Sequence, residues 1–263
     1  MCIVAIAWQV VDDMPLCMIS NRDEFYHRPT RNVHFWEDSP IIAGQDLQSG
    51  GTWLGITQTG RWAVITNYRD GQDSRKFTTS RGQIVTDFLT SDLAPIRFAQ
   101  QLEAVQQHYA GFNLIVGTRE QAVYMSNRGE APQVLPHGVY VLSNTNMGQF
   151  WQKTQHFRTR FTQELLPLLQ LKTDEPTLEQ VVWDILQDDR QVDESQLPDT
   201  GIATQLEYLL SSTYIQSPEY GTRSSNFLRI YANHADWFEK VQPMQQPLQH
   251  LNIAFCQPPE HGL

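Results

Sequence analysis

The sequence predicts an α+β fold built from separate layers of sheets and helices, and the order of its elements is the main reason. Residues 2–67 and 223–255 show strand patterns, whereas residues 80–108 and 150–186 are mostly helical. Strands and helices that come in blocks favour layered sheets over alternating βαβ units. No repeat, low-complexity tract or Pro/Ser-rich linker interrupts residues 1–263. We therefore expect one domain, with sheet packed on sheet between helical layers.

The N-terminal strands are predicted from short apolar runs. The run "CIVAIAW" is continuous and β-branched, as is typical of a strand covered on both faces, and "LCMISN" is similar. The connection "VVDDMP" predicts a hairpin that pairs residues 2–8 with residues 15–21. Further along, "GTWLGITQTGRWAVITN" predicts two strands joined by a turn at Gln58–Arg61.

Helical periodicity marks the middle of the chain. Ser80 begins a capping-box pattern before "IVTDFL", and helical spacing continues through 94–108. A stripe of Phe and Leu predicts a helix over 150–170, and a second helix is expected to start at the capping box of Thr177. We interpret both helical stripes as core. The remaining strands are predicted at "GFNLIVGT", "QAVYMSN", "GVYVLSN", "RSSNFLRIY", "DWFEKVQ" and "QHLNIAF".

Charge and composition exclude several classes of function. The net charge is −10 and no basic patch stands out, which argues against nucleic acid as a partner. No apolar run approaches the ~20 residues that span a bilayer. The N-terminus lacks the basic region of a signal peptide, so we expect a cytoplasmic protein. The histidines and cysteines show neither H-E-x-x-H nor C-x-x-C, so no metal site is expected.

A dense group of polar side chains follows the second predicted strand. Within "SNRDEFYHRP" these residues are Asn21, Arg22, Asp23, Glu24, His27 and Arg28. The predicted hairpin would bring this segment back beside residue 2. Because neighbouring side chains on a strand point to opposite faces, at most one of Arg22 and Asp23 can face Cys2 while the strand continues.

Cys2 is the first candidate for chemistry. Removal of Met1 would leave a free α-amine, with a pKa near ~8, on the residue that carries the thiol. One residue would then supply both nucleophile and base. When Cys2 is considered alone, a buried small hydrophobe at the start of a strand explains it better.

Three further candidates stand at the ends of strands. Asn67 closes "RWAVITN" and Asn144 closes "GVYVLSN", where a side-chain amide can act as an oxyanion donor or simply complete a turn. Arg223 opens "RSSNFLRIY". It could pair with the carboxylates of residues 18–30, hold an anionic ligand, or mark the start of a surface strand.

Four features together resemble one known family. They are Met1-Cys2, "SNRDEFYHRP", the pair "GGTWLGI" and "GRWAVITNYR", and "YGTRSS". This combination is similar to the NRDE family, also called the transport and Golgi organisation protein 2 family, and the likeness extends to about residue 255. That family resembles N-terminal nucleophile hydrolases of the choloylglycine hydrolase and penicillin V acylase type. The resemblance implies a four-layer αββα sandwich.

The resemblance also implies roles for single residues. The nucleophile, a site-lining asparagine, an oxyanion donor and a late site arginine of the acylases would fall on Cys2, Asn67, Asn144 and Arg223. Asp23 is expected near the α-amine. The ligand-binding candidates are Asn21, Arg22, Glu24, His27 and Arg28.

For function, the resemblance implies intracellular haem trafficking or the handling of a hydrophobic ligand such as acyl-CoA, with no cofactor required. Candidate haem ligands are Cys2, His27 and Met147, although the sequence has no C-x-x-C-H motif for covalent haem attachment. The alternative is a hydrolase that cleaves an amide or thioester with Cys2 as nucleophile. In that case Cys2 should react faster than Cys17 and Cys256, which we expect to be buried.

Overall fold

The strands form two antiparallel sheets in a computed structural model that describes residues 2–242 and 247–256. Elements are numbered in chain order. Sheet A contains, from edge to edge, β10 (Gly138–Leu142), β1 (Cys2–Val11), β2 (Met14–Phe25), β11 (Tyr220–Ile230), β12 (His234–Val241) and β13 (Gln249–Ala254). Sheet B contains β3 (Thr30–Phe35), β4 (Ile41–Asp46), β5 (Leu54–Thr57), β6 (Trp62–Asn67), β7 (Phe112–Gly117), β8 (Ala122–Ser126) and β9 (Glu130–Val134).

Helices cover the outer face of each sheet. Sheet B carries α1 (Arg81–Thr90) and α2 (Pro95–Glu103). Sheet A carries α3 (Gln152–Arg160), a π-helical turn (Phe161–Leu165), α4 (Leu166–Gln170) and α5 (Glu175–Leu186). A short helix, α6 (Thr204–Leu209), lies in the segment that leads to β11.

Side-chain alternation along β1 explains the layering. Val4, Ile6 and Trp8 pack into the core between the two sheets, whereas Ile3 and Ala5 pack against the helices of sheet A. A third core joins sheet B to α1 and α2. Because the strands are apolar on both faces, each sheet needs a cover on each side. The predicted αββα order is confirmed.

Several elements differ from the sequence-based expectation. The strands β3, β4 and β9 were not predicted. Of these, β3 and β9 expose much of their length and carry no apolar run. The helix expected at Thr177 starts at Glu175, with Asp174 as N-cap, its carboxylate accepting a hydrogen bond from the backbone N–H of Thr177. Proline fits the first turn of a helix, where its missing N–H leaves no partner unsatisfied, so Pro176 does not delay the start.

The N-terminal hairpin is present, but its predicted register is wrong by one residue. Trp8 pairs with Leu16 and Cys2 pairs with Arg22, so residues 2–8 face residues 16–22. The register shifts between Trp8 and Val11, and Gln9 in this interval has a positive φ of 54°. Such a bulge adds a residue to one strand only and changes which residues lie opposite each other beyond it.

Candidate functional site

Cys2 lies at the edge of a cleft between the two sheets. Its side chain shares the face of β1 that carries Val4 and Ile6, which point toward sheet B. The residue is 8 % exposed and borders a cavity of about 350 Å³. A thiol at this position can contact a ligand in the cavity while most of its surface is buried.

Both sheets and the start of α1 form the walls of this cleft. Sheet A contributes Cys2, Arg22, Asp23 and Glu24, together with Arg28 just beyond β2. The opposite wall is built from Asp46, Ser49, Gly51, Thr52, Trp53, Ile65, Asn67, residues 77–82 and Ala110. Charged groups therefore face apolar and aromatic side chains across the same space.

The start of α1 approaches the cleft through a contact between two glycines. A Cβ atom on Gly51 would lie 2.5 Å from the carbonyl carbon of Gly82, so only glycine allows this approach. Ser80 caps the helix by accepting a hydrogen bond from the N–H of Gly82. Arg81 follows at the first helical position and donates to the carbonyl of Gly111 at 2.9 Å. This arrangement places a guanidinium and a helix N-terminus at the cleft wall.

Arg22 faces the cleft from directly opposite Cys2. Its guanidinium carbon lies 4.3 Å from the centre of the Trp53 ring, and its Nη1 donates to Thr30 Oγ1 at 3.4 Å. A weak ion pair joins it to Glu24 at 3.9 Å. Because the strand continues to Phe25, alternation holds through this segment, and Arg22 rather than Asp23 shares the face of the thiol.

Arg28 closes one end of the cleft. Its Nε and Nη2 both donate to Asp46 Oδ2, at 2.9 and 2.7 Å, and Nη2 also donates to Ser49 Oγ at 2.9 Å. Glu24 lies 3.8 Å from the same guanidinium. The cleft thus contains three arginines, of which Arg28 has the most direct carboxylate partner.

Asp23 borders the cleft but directs its carboxylate toward the helical side of sheet A. The residue is 1 % exposed, and its Oδ1 accepts a hydrogen bond from Thr222 Oγ1 at 2.8 Å. Burial raises the pKa of this carboxyl, while the charge of Lys153 on α3 acts in the opposite direction. The expectation that Asp23 lies near the α-amine stays a prediction, since Met1 is outside the described residues.

The electrostatic setting of Cys2 favours the neutral thiol. Burial raises the pKa of the thiol, and the carboxylate of Asp23 adds to this effect. The positive charge of the chain's N-terminus and, after it, that of Arg22 act in the opposite direction, because a cation stabilises the thiolate.

Asn67 and Asn144 are brought into contact with each other. Nδ2 of Asn144 donates to the carbonyl of Asn67 at 2.8 Å, and Oδ1 accepts a weak bond from Ser143 Oγ at 3.4 Å. Asn67 borders the cleft, whereas Asn144 is 1 % exposed. An oxyanion role for Asn144 would have to use the second hydrogen of its amide group, so this role stays a prediction.

Asn21 connects sheet A to the segments outside it. Its Nδ2 donates to the carbonyls of Leu186 and Thr213, at 2.7 and 2.9 Å, and its Oδ1 accepts from Ser225 Oγ at 2.7 Å. The side chain is fully buried on the face of β2 opposite to that of Arg22. The structure therefore gives Asn21 a packing role in the helical interface rather than a place on the cleft wall.

Arg223 holds the turn that follows β2. Its Nη1 donates to the carbonyls of Phe25, Tyr26 and Arg28, at 2.8, 3.0 and 3.1 Å. It sits where the pairing of β11 with β2 shifts register, between Thr222 and Ser224. These contacts shape the loop that carries Arg28, although Arg223 itself is not among the residues that line the cleft.

The candidate haem ligands are not brought together. His27 is exposed and packs against the ring of Phe25, with 5.4 Å between ring centroids. Met147 packs against the core between the sheets. Cys2 borders the cleft, so a haem in this space would find one of the three candidates at its edge.

The other two cysteines differ from each other. Cys17 is fully buried on the helical side of β2, and burial raises the pKa of its thiol to about 12. Cys256 is exposed, so the expectation that it is buried is wrong. It follows a strand at the edge of sheet A, where the last residues lose the cover of a neighbouring strand.

Over residues 2–242 and 247–256, no group of three histidine, cysteine or acidic side chains is placed to hold a metal ion. Within the same part of the chain, no helix is long and apolar enough to cross a membrane.

Sequence reasoning missed three residues near the thiol. Trp53 and Arg81 both line the cleft, and Lys153 lies buried behind it. Arg81 follows the helix cap that the sequence predicted at Ser80, so its place at a helix start was visible. Lys153 precedes Phe157 by four residues, so it lies on the same face of the helix as the apolar stripe. A lysine on that face could have been predicted to be buried.

Two stacked sheets with helices on both outer faces are the architecture of the N-terminal nucleophile hydrolase fold. A C2A variant of a conjugated bile acid hydrolase from Clostridium perfringens superimposes with a TM-score of 0.50 at 7% identity, covering 95% of this chain and 92% of that one. This likeness concerns the fold alone. The chain belongs to the Transport and Golgi organisation 2 family, whose sequence pattern matches residues 1–242.

Two mammalian relatives match this chain over most of their length. The Transport and Golgi organization protein 2 homolog of Bos taurus is 35% identical over 243 residues, which is 86% of this chain and 86% of that protein. The Homo sapiens homolog is 32% identical over 252 residues, or 89% of each chain.

Proposed function

We propose that this chain binds and hands on an anionic amphipathic ligand of the haem or acyl-CoA class in the cleft beside Cys2. The observation that carries this proposal is the composition of the cleft lining, which combines three arginines (Arg22, Arg28 and Arg81) with Trp53 and apolar side chains. Its volume of about 350 Å³ lies at the lower end of the range usual for small-molecule sites. Cytoplasmic location is part of the same proposal.

The charge pattern of the cleft fits carboxylate or phosphate groups. Arg28 already has Asp46 as a partner, whereas Arg22 lies over an aromatic ring and Arg81 bonds a backbone carbonyl. Arginine prefers carboxylate and phosphate because its planar N–H groups form paired hydrogen bonds with them. The propionates of haem and the phosphates of acyl-CoA both supply such anions.

The apolar side of the ligand would face Trp53, Ile65 and Phe77, which line the same space. Haem held here would rely on propionate contacts and on Cys2 as an iron ligand. Such binding is reversible, which suits transfer between partners better than permanent attachment.

The test is a pair of titrations of the purified full-length chain. Haemin binding is followed by the Soret shift, and long-chain acyl-CoA binding by calorimetry. We expect Arg81→Met to weaken binding of the preferred ligand by about tenfold or more, because it removes a charge-assisted contact. The matched control is Arg97→Met, since Arg97 is exposed on α2 and bonds Gln100 away from the cleft. Absence of saturable binding of either ligand by the unmodified chain would refute the proposal.

A second candidate function is hydrolysis of an amide or thioester with Cys2 as nucleophile. The observation that favours it is the thiol itself, which borders the cavity opposite Arg22. Removal of Met1 would place an ammonium group on Cys2, and that charge would favour the thiolate. This candidate predicts turnover of acyl-amide or acyl-thioester substrates that Cys2→Ala abolishes, in protein whose mass shows loss of Met1. Equal activity in the Cys2→Ala variant would rule out the thiol mechanism.

A further inference from the structure

A second cavity lies among the helices and loops on the outer side of sheet A. Its volume is about 220 Å³. It is lined by residues of α3, of the segment after α5 and of the segment that leads to β11, namely Gln152, Lys153, His156, residues 190–193, Gln196, Ser211 and Thr213. None of these residues lines the cleft beside Cys2. The function proposed for the cleft therefore leaves this cavity without a role.

The lining of this second cavity is almost entirely polar. Val192 is the one apolar residue among the ten described residues that border it. Lys153 and Arg190 are cations, and His156 becomes one when it is protonated. The acid among the ten, Asp193, is exposed. Such a lining does not suit an apolar ligand and favours a small anion with several hydrogen-bond acceptors.

Asp188 fixes the guanidinium of Arg190 beside this cavity. Its Oδ1 and Oδ2 accept hydrogen bonds from Nε and Nη2 of Arg190, at 2.9 and 2.6 Å. Oδ1 also accepts from the backbone N–H of Arg190 at 3.1 Å. This pairing uses one side of the guanidinium and leaves Nη1 with two N–H groups for a ligand. Because Arg190 is already held in place, a ligand would lose little affinity in ordering it.

The same carboxylate holds His156. Nε2 of His156 lies 2.7 Å from Asp188 Oδ2, and because a carboxylate only accepts hydrogen bonds, Nε2 is the donor in this contact. Nδ1 is then the nitrogen that remains for a ligand. Arg160 also donates to Asp188, at 3.3 Å, but its charge is balanced by Glu164. Asp188 balances Arg190, so this group of side chains becomes positive when His156 takes up a proton.

Lys153 adds a permanent positive charge to the cavity. The residue is 5 % exposed, and its Nζ donates to the carbonyl of Leu210 at 3.1 Å. An ammonium has three N–H groups, so this bond leaves two of them for other partners. Burial lowers the pKa of Lys153 to about 8, and the side chain is therefore charged near neutral pH. A buried ammonium bonded to a neutral carbonyl would be stabilised by an anion in the adjoining cavity.

We propose that this second cavity binds a phosphate group, with Lys153, His156 and Arg190 as its cationic partners. Lys153 and His156 are three residues apart on α3 and so lie on one face of the helix, whereas Arg190 comes from the segment after α5. Donors that converge from two segments suit the three terminal oxygens of a phosphate better than the two oxygens of a carboxylate.

The size of the cavity also fits this ligand. One water occupies about 10–15 Å³ of such a volume, so about 220 Å³ accommodates a phosphate group and further atoms attached to it. Both a free phosphate ion and the phosphate of a small ester have this chemistry, and a titration separates the two.

The experiment follows the imidazole of His156 by NMR. The full-length chain is labelled with 13C-histidine, and the signal of His156 is identified among the eight histidines by its loss in His156→Gln. Inorganic phosphate, glycerol 3-phosphate and succinate are added separately near neutral pH, with chloride keeping the ionic strength constant. We expect a saturable shift of the His156 signal with both phosphate compounds, at lower concentrations than with succinate.

The two phosphate probes distinguish the source of the ligand. Tighter binding of glycerol 3-phosphate indicates a phosphate ester, whereas equal binding indicates the free ion. Tighter binding of succinate, or a shift that does not saturate with either phosphate compound, overturns the proposal.

Variants test whether the anion contacts the named side chains. Arg190→Met and Lys153→Met should each raise the dissociation constant for phosphate by about five- to tenfold, because each removes a charged donor. The matched control is Arg158→Met, which removes a guanidinium from the same helix, since Arg158 is exposed and does not line this cavity. It should leave the dissociation constant unchanged. An equal loss in Arg158→Met would indicate a general effect of charge and overturn the proposal.

Two further outcomes keep the test decisive. The side chain of Arg190 is 66 % exposed, so Arg190→Met still tests the proposal if Lys153→Met does not fold. An unchanged dissociation constant in folded Arg190→Met would overturn it. Arg81→Met changes the cleft between the sheets and should leave the phosphate titration of His156 as it is. If Arg81→Met abolishes the shift, the anion binds in the cleft and the second site is refuted.

Discussion

Cys2 and Arg22 lie directly opposite each other in the β1–β2 hairpin, and paired residues of antiparallel strands project on the same face. The thiol and the guanidinium therefore face the same cleft, while Asp23 faces the helices behind it. This relationship places Arg22 on the same side of the hairpin as the thiol, where its charge favours the thiolate.

Replacing Arg22 should make Cys2 harder to ionise. In Arg22→Met a cation that opposes the effect of burial is lost, so the pKa of the thiol should rise further and alkylation at a given pH should slow. The measurement is the pH dependence of Cys2 alkylation by iodoacetamide, resolved by peptide mass spectrometry. Arg31→Met is the control, because Arg31 is exposed on β3. A rate profile identical to that of the unmodified chain would contradict the assignment of Arg22 to the thiol.

Asn21→Ala should reduce stability without changing the cleft. It leaves two backbone carbonyls and one hydroxyl without their buried partner, and such losses cost about 2–4 kcal/mol in total. Urea unfolding measures the change, with Asn252→Ala on the exposed side of β13 as control. If Asn21→Ala weakens ligand binding but not stability, Asn21 belongs to the binding site after all.

Arg223→Met should loosen the turn after β2. Its guanidinium joins three carbonyls of that turn, so their release should speed amide hydrogen exchange over residues 25–28 several-fold. Alkylation of Cys2 should change little, since Arg223 is not among the residues that line the cleft. A large loss of Cys2 reactivity with unchanged exchange would instead support the catalytic role implied by the acylases.

Glu239 should make stability depend on pH. It is 1 % exposed between the sheets, where Oε2 accepts a bond from the N–H of Val33 at 2.7 Å, and burial raises its pKa to about 7. An acid whose pKa is raised on folding stabilises the fold below its unfolded pKa of 4.5, and this contribution is lost as pH rises through about 7.

Between pH 4.5 and a pH above 7, the contribution of Glu239 to the free energy of unfolding falls by about 3 kcal/mol. Unmodified protein should therefore lose stability over this interval relative to Glu239→Gln, which has no charge to bury. Chemical unfolding at several pH values measures the difference, and the exposed Glu219→Gln is the control. Parallel pH curves for the unmodified chain and Glu239→Gln would disprove the raised pKa.

Much of the fold could be predicted because apolar runs and helical stripes mark buried elements. The strands at 2–8 and 62–67 were visible as continuous apolar residues, and Ser80 does cap a helix. Strand β9 was not visible, because it is largely exposed and contains a proline. Exposed edge strands carry little hydrophobic signal, since their pairing is made by backbone groups that every residue has.

The site was harder to predict than the fold. Cys2, Asp23 and Arg28 were predicted as site residues and do line the cleft. Asn21 was predicted as well, but its amide bonds the carbonyl of Leu186 in the helical layer. The strand pattern limits how many neighbours can face one side, yet which ones do depends on the register. Register here depends on a bulge at Gln9. Glutamine seldom adopts a positive φ, so the sequence does not indicate the bulge as a glycine at this position would.

That bulge has a consequence for how related sequences are compared. Pairing continued without it from Val11 and Met14 would put Asp23, not Arg22, opposite Cys2. Which residue of the N-R-D-E segment lies opposite Cys2 is thus decided by the bulge at Gln9, on the other strand of the hairpin. Two chains that share this segment but differ in their hairpins can offer a ligand opposite charges, so residues should be matched by counting outward from the turn.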